Sequence, residues 1–381
     1  MIQKSKFPGT GATIFTVMSE MAREYGAKNL SQGFPDFDGP PLLRERVAWH
    51  MDNGHNQYAP LAGVPRLQEQ IAAKVRDLYG CIIDPVRQVT VTPGATEAIF
   101  CAVTACIHPG DEVIVFDPAY DTYEPCVRLN GGRTHHIPLA YPDFRIDWDR
   151  VKEAINPRTR MFILNSPHNP TGSVLTANDI NALRSVIDGR DILLLSDEVY
   201  EHITFDGRPH LSLLRYPDLA ERAFCISSFG KTYHVTGWRV GYCIAPAELM
   251  QEFLRIHQFI NFSTNAPLQY ALADYLAEHS GFAKELAAFY QEKRNLFCEL
   301  LQHSRFNLIP SDGTYFQLAD YSRISDEVDT EFAARLTREQ RVAAIPVSVF
   351  YREAPQQQVV RFCFAKHAET LREACGRLES L

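Results

Sequence analysis

Residues 160–200, RMFILNSPHNPTGSVLTANDINALRSVIDGRDILLLSDEVY, predict a β-strand, an α-helix and a second β-strand in succession. The runs RMFIL and DILLL show almost no polar alternation, which is typical of strands that are buried on both faces. Between them, Thr176 is followed three residues later by Asp179, a spacing that resembles a helix capping box. Two buried strands joined by a helix indicate a parallel pair in an α/β sheet.

The same alternation of strands and helices continues on both sides of this unit. Further apolar strands are predicted at QVTV (88–91), EVIVF (112–116), AFCIS (223–227) and VGYCIA (240–245), and helices precede or follow them. We therefore predict an α/β fold in which residues 45–275 form a large domain, with a mostly parallel sheet flanked by helices.

The pattern of predicted helices and strands changes after about Asn265. A long helical stretch leads into the shorter strands FNLIP, TYFQLAD, VAAIPVS and VVRFCFA, and a last helix lies near the C-terminus. This pattern predicts a smaller α+β domain over residues 276–381. Residues 1–44 are rich in glycine and proline, and we expect them to form an N-terminal arm and part of the smaller domain.

Bulk composition narrows the classes of function. The 381 residues carry a formal net charge of −8, which argues against a nucleic-acid partner. No stretch of about 20 apolar residues predicts a membrane span, and the N-terminus lacks the apolar run of a secretory signal. The nine cysteines form no CxxC pair, so we expect reduced thiols in a cytoplasmic protein. HExxH and GxGxxG patterns are also missing, so neither a metal site nor a dinucleotide site is expected.

Polar clusters follow four of the predicted strands. Because ligand groups gather beyond the carboxyl ends of strands in open α/β sheets, we expect these clusters to form a single site. The clusters are PGATEA (93–98), NSPHNPTG (165–172), SDEVY (196–200) and SSFGKT (227–232).

Each of the first three clusters also has a purely structural interpretation. Gly94 opens a helix whose N–H groups attract phosphate, but a plain strand-to-helix turn has the same sequence. The tetrapeptide that begins at Asn169 is a common turn. Asp197 ends a buried strand and needs a partner, because an unpaired buried charge is costly. That partner could be a cationic ring nitrogen, a helix terminus or a cation of the protein.

The fourth cluster is the most specific. A lysine beside a strand end is ordinarily a solvated surface residue, but Lys231 lies among serines and a glycine, and Arg239 follows eight residues later. This grouping looks like an imine-forming lysine beside a phosphate-binding group.

The stretch SSFGKTYHVTGWRVGY (227–242) resembles the lysine motif of the class I aminotransferases, which have the aspartate aminotransferase-like fold, fold type I of the enzymes that use pyridoxal 5′-phosphate (PLP). The motifs YAPLAG, PGATEA, DPAYDTY, NSPHNPTG, SDEVY and VVRFCFA follow the order of that family over nearly the whole chain. NLSQGFPDFDGP and IPVSVFY are similar to the kynurenine and glutamine-type branch, and within it the chain most resembles bacterial methionine aminotransferases.

The resemblance implies a role for each residue around the ring of PLP. Lys231 forms the Schiff base and then moves protons as a general base and acid. Asp197 faces the pyridine nitrogen and keeps it protonated. Asn169 and Tyr200 hydrogen-bond the 3′ oxygen. Tyr120 stacks on the ring face, although a packed tyrosine is the alternative.

The resemblance also implies how the phosphate of PLP is held. Its ligands would come from the helix start and from the lysine motif, namely Gly94, Ala95, Thr96, Ser228 and Arg239. Tyr58 is expected to reach the phosphate of the other subunit, which implies a homodimer with active sites at its interface. Thr96 stands where the animal kynurenine enzymes have tyrosine, which puts a specific preference for kynurenine in doubt.

For the substrate, the resemblance assigns Arg361 to the α-carboxylate, which a guanidinium binds bidentately; a structural ion pair is the alternative. The N–H of Gly33 and the side chain of Asn169 would share that end of the substrate, and Asn165 would support the arginine. Aromatic positions resemble those around an apolar pocket, which suits methionine, aromatic or other apolar donors, although core packing is an alternative. These positions are Phe15, Tyr58 and Phe350.

The function expected from this resemblance is transfer of an amino group from an L-amino acid to a 2-oxo acid. Two other PLP activities stay open: a carbon–sulfur β-lyase acting on cysteine conjugates, and a transaminase acting mainly on kynurenine. A non-catalytic PLP-binding module is a further alternative, and the complete set of polar residues argues against it.

Overall fold

The computed structural model describes residues 5–7, 11–279, 281–379 and 381. The strands, in chain order, are β1 (Lys28–Asn29), β2 (Val89–Thr92), β3 (Glu112–Asp117), β4 (Arg133–Pro138), β5 (Thr159–Asn165), β6 (Leu193–Asp197), β7 (Ala223–Ser228), β8 (Gly241–Ile244), β9 (Asn307–Ile309), β10 (Phe316–Asp320), β11 (Val342–Ala343), β12 (Ile345–Pro346) and β13 (Val359–Cys363).

The α-helices cover both faces of the larger sheet and surround the smaller one. In chain order they are α1 (Ile14–Glu24), α2 (Pro41–Asp52), α3 (Pro65–Tyr79), α4 (Pro85–Gln88), α5 (Ala95–Cys106), α6 (Tyr123–Leu129), α7 (Trp148–Ala154), α8 (Ala177–Ile187), α9 (Pro217–Ala220), α10 (Phe229–Thr232), α11 (Ala247–Ile260), α12 (Ala266–Glu278), α13 (Phe282–Leu301), α14 (Asp329–Arg335) and α15 (Ala368–Leu378).

A seven-stranded sheet with the order β2-β8-β7-β6-β5-β3-β4 forms the centre of the molecule. Strand β8 is antiparallel to both of its neighbours, and the other pairs are parallel. The predicted α/β fold with a mostly parallel sheet is therefore confirmed. Strand β4, RTHHIP, was not predicted, because it is a polar edge strand whose residues are largely exposed or half-buried.

Alternate residues of the central strands pack on opposite faces of this sheet. Ile114 and Phe162 belong to one hydrophobic cluster, whereas Val113 and Met161 belong to another. Burial on both faces is the reason that these strands read as continuous apolar runs. The predicted capping box is also confirmed, because Thr176 and Asp179 bond reciprocally at the start of α8.

A smaller antiparallel sheet, β12-β13-β10-β9, has its own hydrophobic cluster with α13, α14 and α15. Met18 and Leu30 pack into the same cluster. We keep the division into residues 1–44, 45–275 and 276–381 as a proposal. The long helical stretch predicted after Asn265 consists of two helices, α12 and α13, and Asn265 caps the first by accepting from the N–H of Leu268.

Candidate active site

The four polar clusters meet at one edge of the seven-stranded sheet, where they line a single cavity. Strands β6 and β7 run parallel into it, and helix α5 begins beside it. The predicted site residues that line the cavity are Ala95, Thr96, Tyr120, Asn169, Asp197, Tyr200, Ser228, Lys231 and Arg239.

Asp197 is a buried carboxylate at the end of β6. Its Oδ2 accepts a hydrogen bond of 2.7 Å from the hydroxyl of Tyr123, and its Oδ1 accepts one from the N–H of Val199. Burial raises the pKa of Asp197 to about 6, although both hydrogen bonds act in the opposite direction. No described cation lies within ion-pair distance of this carboxylate, so it can take a cationic partner inside the cavity.

Lys231 lies on α10, directly after β7, and its half-buried side chain lines the cavity. The Nζ atom donates to the hydroxyl of Tyr315 at 3.1 Å and to the carbonyl of Gly33 at 3.3 Å. Burial lowers the pKa of Lys231 to about 8. An amine with that pKa is neutral often enough near physiological pH to act as a nucleophile or a base.

The start of α5 and the lysine motif form a cup of hydrogen-bond donors. No side chain caps the helix, so its first N–H groups remain available at Ala95 and Thr96. A Cβ at Gly94 would lie 2.6 Å from Nη2 of Arg239, so glycine permits the guanidinium to approach the helix start. The hydroxyl of Ser228 belongs to the same cavity. A helix N-terminus, a guanidinium and a hydroxyl together suit a phosphate.

Arg361 is fully buried on β13, next to this cavity. Its Nη1 donates to Oδ1 of Asn169 at 2.7 Å and its Nη2 donates to the carbonyl of Ser31 at 2.9 Å, but its buried Nε has no partner. Burial lowers the pKa of Arg361 to about 10, so the guanidinium stays charged at neutral pH. No carboxylate of the described residues forms an ion pair with it.

Aromatic rings surround the Arg361 guanidinium. Phe15 and Phe350 each lie 5.6 Å from its central carbon, and their own ring centroids are 5.8 Å apart. Phe316 stacks closest, with its ring centroid 3.9 Å from the same carbon. The charged guanidinium therefore lies against apolar, aromatic side chains.

The sequence matches the family model for class I and II aminotransferases over residues 26–378. The chain belongs to the class I and II aminotransferases. It is 49% identical to a methionine aminotransferase from Escherichia coli over all of this chain and 99% of that protein. It is 39% identical to a probable N-succinyldiaminopimelate aminotransferase from Mycobacterium tuberculosis, over 97% of this chain and 96% of that one.

Solved structures agree with this assignment. An Escherichia coli structure with an identified methionine aminotransferase function superimposes with a TM-score of 0.98, at 49% identity and full coverage of both chains. Kynurenine–oxoglutarate transaminases are also among the relatives, at 31% identity in the Dictyostelium discoideum protein. The family, the fold type and the enzyme class predicted from the lysine motif are confirmed. Members of this family generally depend on PLP and act on amino acids and 2-oxo acids.

Six predicted residues of this aminotransferase do not line the cavity itself, namely Phe15, Gly33, Tyr58, Gly94, Phe350 and Arg361. Tyr58 is outside the cavity of its own chain, where it is 85% exposed and its ring contacts Phe262. Asn165 does line the cavity, and it is linked to Arg361 only indirectly. Its amide donates to the carbonyl of Asp197 and accepts from the N–H of Asn169, and the side chain of Asn169 binds the arginine.

Sequence reasoning missed three aromatic residues of the site. Tyr123, in DPAYDTY, binds Asp197, whereas Tyr315 binds Lys231 and Phe316 stacks on Arg361. The signal for Tyr123 was present, since it lies in a motif that follows a predicted strand end. Tyr315 and Phe316 lie at the start of β10 in the smaller sheet, Tyr315 directly before the strand and Phe316 as its first residue. Local sequence patterns do not show which residues of a second sheet face a distant strand end.

No helix in the described part of the chain is long and apolar enough to cross a membrane.

Proposed function

We propose that this chain is a PLP-dependent aminotransferase that moves the amino group of an L-amino acid to a 2-oxo acid, with methionine and aromatic or other apolar donors preferred. The observation that carries the proposal is a single cavity lined by the amine of Lys231, the carboxylate of Asp197 and the cup of hydrogen-bond donors at the start of α5. The geometry and the family membership both support it.

The residues of the cavity fit PLP part by part. Lys231 supplies an amine of lowered pKa for the aldehyde carbon, and Asp197 supplies a carboxylate for the ring nitrogen. Ala95, Thr96 and Ser228, with Gly94 and Arg239, supply N–H, O–H and guanidinium groups for the phosphate. Tyr120 lines the cavity and would stack on the ring, and Tyr200 and Asn169 would bond its 3′ oxygen.

When bound, PLP withdraws electrons from the substrate, so that the Cα proton of the amino acid becomes removable. The charge of Asp197 would keep the ring nitrogen protonated, and Tyr123 holds that carboxylate in place. Lys231, once its amine is free, is the residue that can take a proton from one carbon and return it to another.

Arg361 and the aromatic rings support the proposed substrate preference. The guanidinium has an unpartnered Nε and no described carboxylate, so a substrate carboxylate can complete its bonding. Phe15 and Phe350 flank it and would contact an apolar side chain. An aromatic wall favours methionine, phenylalanine, tyrosine or leucine over aspartate. The methionine aminotransferase of Escherichia coli, as a relative at 49% identity, points in the same direction.

The proposal includes a homodimer with shared sites. Tyr58 is exposed and lies outside the cavity of its own chain, which suits a residue that serves the phosphate of a second copy.

A panel of amino donors with one 2-oxo acid acceptor tests the proposed function. The conversion of bound PLP to pyridoxamine phosphate is measured by absorbance. We expect it to be fastest with methionine and aromatic donors and slow with aspartate. Lys231→Ala should abolish turnover. Equal rates with aspartate would overturn the substrate preference.

The same panel separates the alternative activities. Release of pyruvate and ammonia from a cysteine conjugate without any oxo acid would identify a β-lyase instead. A kynurenine rate that far exceeds the methionine rate would make kynurenine transamination the main activity.

A further inference from the structure

Tyr315 and Gly33 enclose the amine of Lys231. The Nζ atom lies 3.1 Å from the Tyr315 hydroxyl and 3.3 Å from the Gly33 carbonyl oxygen, and the hydroxyl and the carbonyl lie 2.5 Å apart. These three groups therefore form a closed triangle of hydrogen bonds. Tyr315 has no side-chain exposure to solvent, so water does not compete for its hydroxyl.

The direction of each hydrogen bond in this triangle is fixed by chemistry. A carbonyl oxygen can only accept, so the Tyr315 hydroxyl must donate its proton to Gly33. Burial raises the pKa of Tyr315 well above its ordinary value, so the phenol keeps that proton at neutral pH. With its proton committed to Gly33, the phenol oxygen can only accept from Lys231.

This arrangement sets the orientation of the amine. A neutral primary amine has two N–H bonds and one lone pair, and the triangle offers two acceptors. We propose that Tyr315 is a further catalytic residue, whose hydroxyl together with the Gly33 carbonyl accepts hydrogen bonds from one side of neutral Lys231 and so favours a lone pair directed away from them, free to attack a carbonyl carbon or take a proton in the cavity. The amine then requires no reorientation before it reacts.

The surroundings of Tyr315 make it a rigid partner for the lysine. Its ring meets Tyr200 edge to face at 5.1 Å and Tyr290 at 5.6 Å. The next residue, Phe316, lies 3.9 Å from the Arg361 guanidinium. A Cβ at Gly33 would lie 2.7 Å from the Phe316 ring, so glycine is required for the carbonyl to reach the lysine.

Consecutive residues 315 and 316 therefore contact both ends of the site. Tyr315 binds the amine that reacts, and Phe316 stacks on the arginine proposed to bind the substrate carboxylate. Gly33 lies against both rings, since a Cβ at this residue would lie 2.7 Å from Phe316 and 3.5 Å from Tyr315.

This inference rests on the proposed role of Lys231, and its test separates the two. Stopped-flow absorbance follows the attachment of added PLP to the apoprotein. The proposed function fails if the wild-type protein shows no absorbance from PLP attached to the protein. It also fails if the Lys231→Ala variant shows the same absorbance as the wild-type protein. If the wild-type protein attaches PLP through Lys231, the comparison with Tyr315→Phe tests the role of the hydroxyl.

Tyr315→Phe removes one oxygen atom and keeps the ring. At a pH high enough to keep Lys231 neutral, we expect the attachment of PLP to slow by about tenfold, which is the rate equivalent of one lost hydrogen bond. The midpoint of the pH dependence should move below the wild-type value near 8, because the ammonium form of Lys231 loses an acceptor and its pKa falls further. In a Lys231→Ala background, Tyr315→Phe should leave the dissociation constant of PLP unchanged.

Tyr290→Phe is the matched control. It also removes a hydroxyl from a buried tyrosine of the same aromatic group, but this hydroxyl bonds His234 rather than Lys231. We expect it to keep the wild-type attachment rate and pH midpoint, and thermal unfolding compares the stability of the two variants. The inference is overturned if Tyr315→Phe matches Tyr290→Phe in both attachment rate and pH midpoint.

Discussion

Lys231 and Asp197 are two buried ionisable groups whose pKa values are moved towards each other. Burial lowers the pKa of the lysine to about 8 and raises that of the aspartate to about 6. At pH 7 the carboxylate is therefore mostly ionised, and about one lysine in ten is neutral. Among the described residues neither group forms an ion pair, whereas a cationic ring nitrogen would provide an opposite charge for Asp197.

Asp197→Asn should stabilise the apoprotein while it abolishes the proposed activity. A carboxyl whose pKa is raised from 3.8 to about 6 on folding destabilises the fold progressively as pH rises through that window, and the cost is complete above pH 6 at about 3 kcal/mol. Asparagine removes this cost. The gain in unfolding free energy, measured by urea denaturation of the apoprotein, should be larger at pH 8 than at pH 5. An equal gain at both pH values would contradict the assignment.

At the scale of elements, the sequence predicts the strands that carry the site better than the residues that support it. Strands β3, β5 and β6 are recognisable because burial on both faces requires continuous apolar runs. The polar ends of β6 and of β7 identify Asp197 and Lys231. Strand β4 escapes prediction because its polar residues lie at the sheet edge, and Tyr315 escapes because the smaller sheet brings it to Lys231 across 84 residues of chain.

A buried ion pair joins helix α3 to the strand ends behind the cavity. Lys74 on α3 donates to Oε1 of Glu201 at 2.7 Å, and Ser227 and Tyr242 donate to the same oxygen. The hydroxyl of Tyr79 donates to the other oxygen. Burial alone would raise the pKa of Glu201, but Lys74, His202 and the Ser227 hydroxyl hold it well below its usual range. Glu201 follows Tyr200 and Ser227 precedes Ser228, so this pair anchors two residues of the proposed cofactor site.

Lys74→Met should destabilise the protein strongly, because it leaves the Glu201 carboxylate buried without its cation. Removal of one partner of a buried pair costs about 3–5 kcal/mol. Lys74→Met/Glu201→Gln should recover part of that loss, since no charge then remains. Chemical denaturation at pH 7 measures both, and Lys152→Met, at an exposed lysine of α7, is the control. A Lys74→Met variant no less stable than the control would show that the pair contributes little.

At the scale of the whole molecule, large apolar side chains remain exposed around the loop that carries Tyr58. Phe259 is 84% exposed at the end of α11, and Met51 and Phe262 are also exposed nearby. Met51 and Tyr58 line one groove together with residues 263–267. Exposed large apolar side chains that lie close together are typical of interaction sites. It supports the proposed homodimer, in which Tyr58 of each subunit completes the phosphate site of the other.

A complementation experiment tests that sharing of sites. Tyr58→Ala should weaken PLP binding and lower activity at limiting PLP, and Lys231→Ala should abolish activity. In a mixed dimer, one site would contain both changes, and the other would contain the intact lysine of one subunit and the intact tyrosine of its partner. Co-refolding the two variants should therefore restore about a quarter of wild-type activity, because half of the dimers are mixed and one of their two sites is intact. If Tyr58 served its own subunit, neither site of the mixed dimer would be intact, and activity would stay at the level of the separate variants.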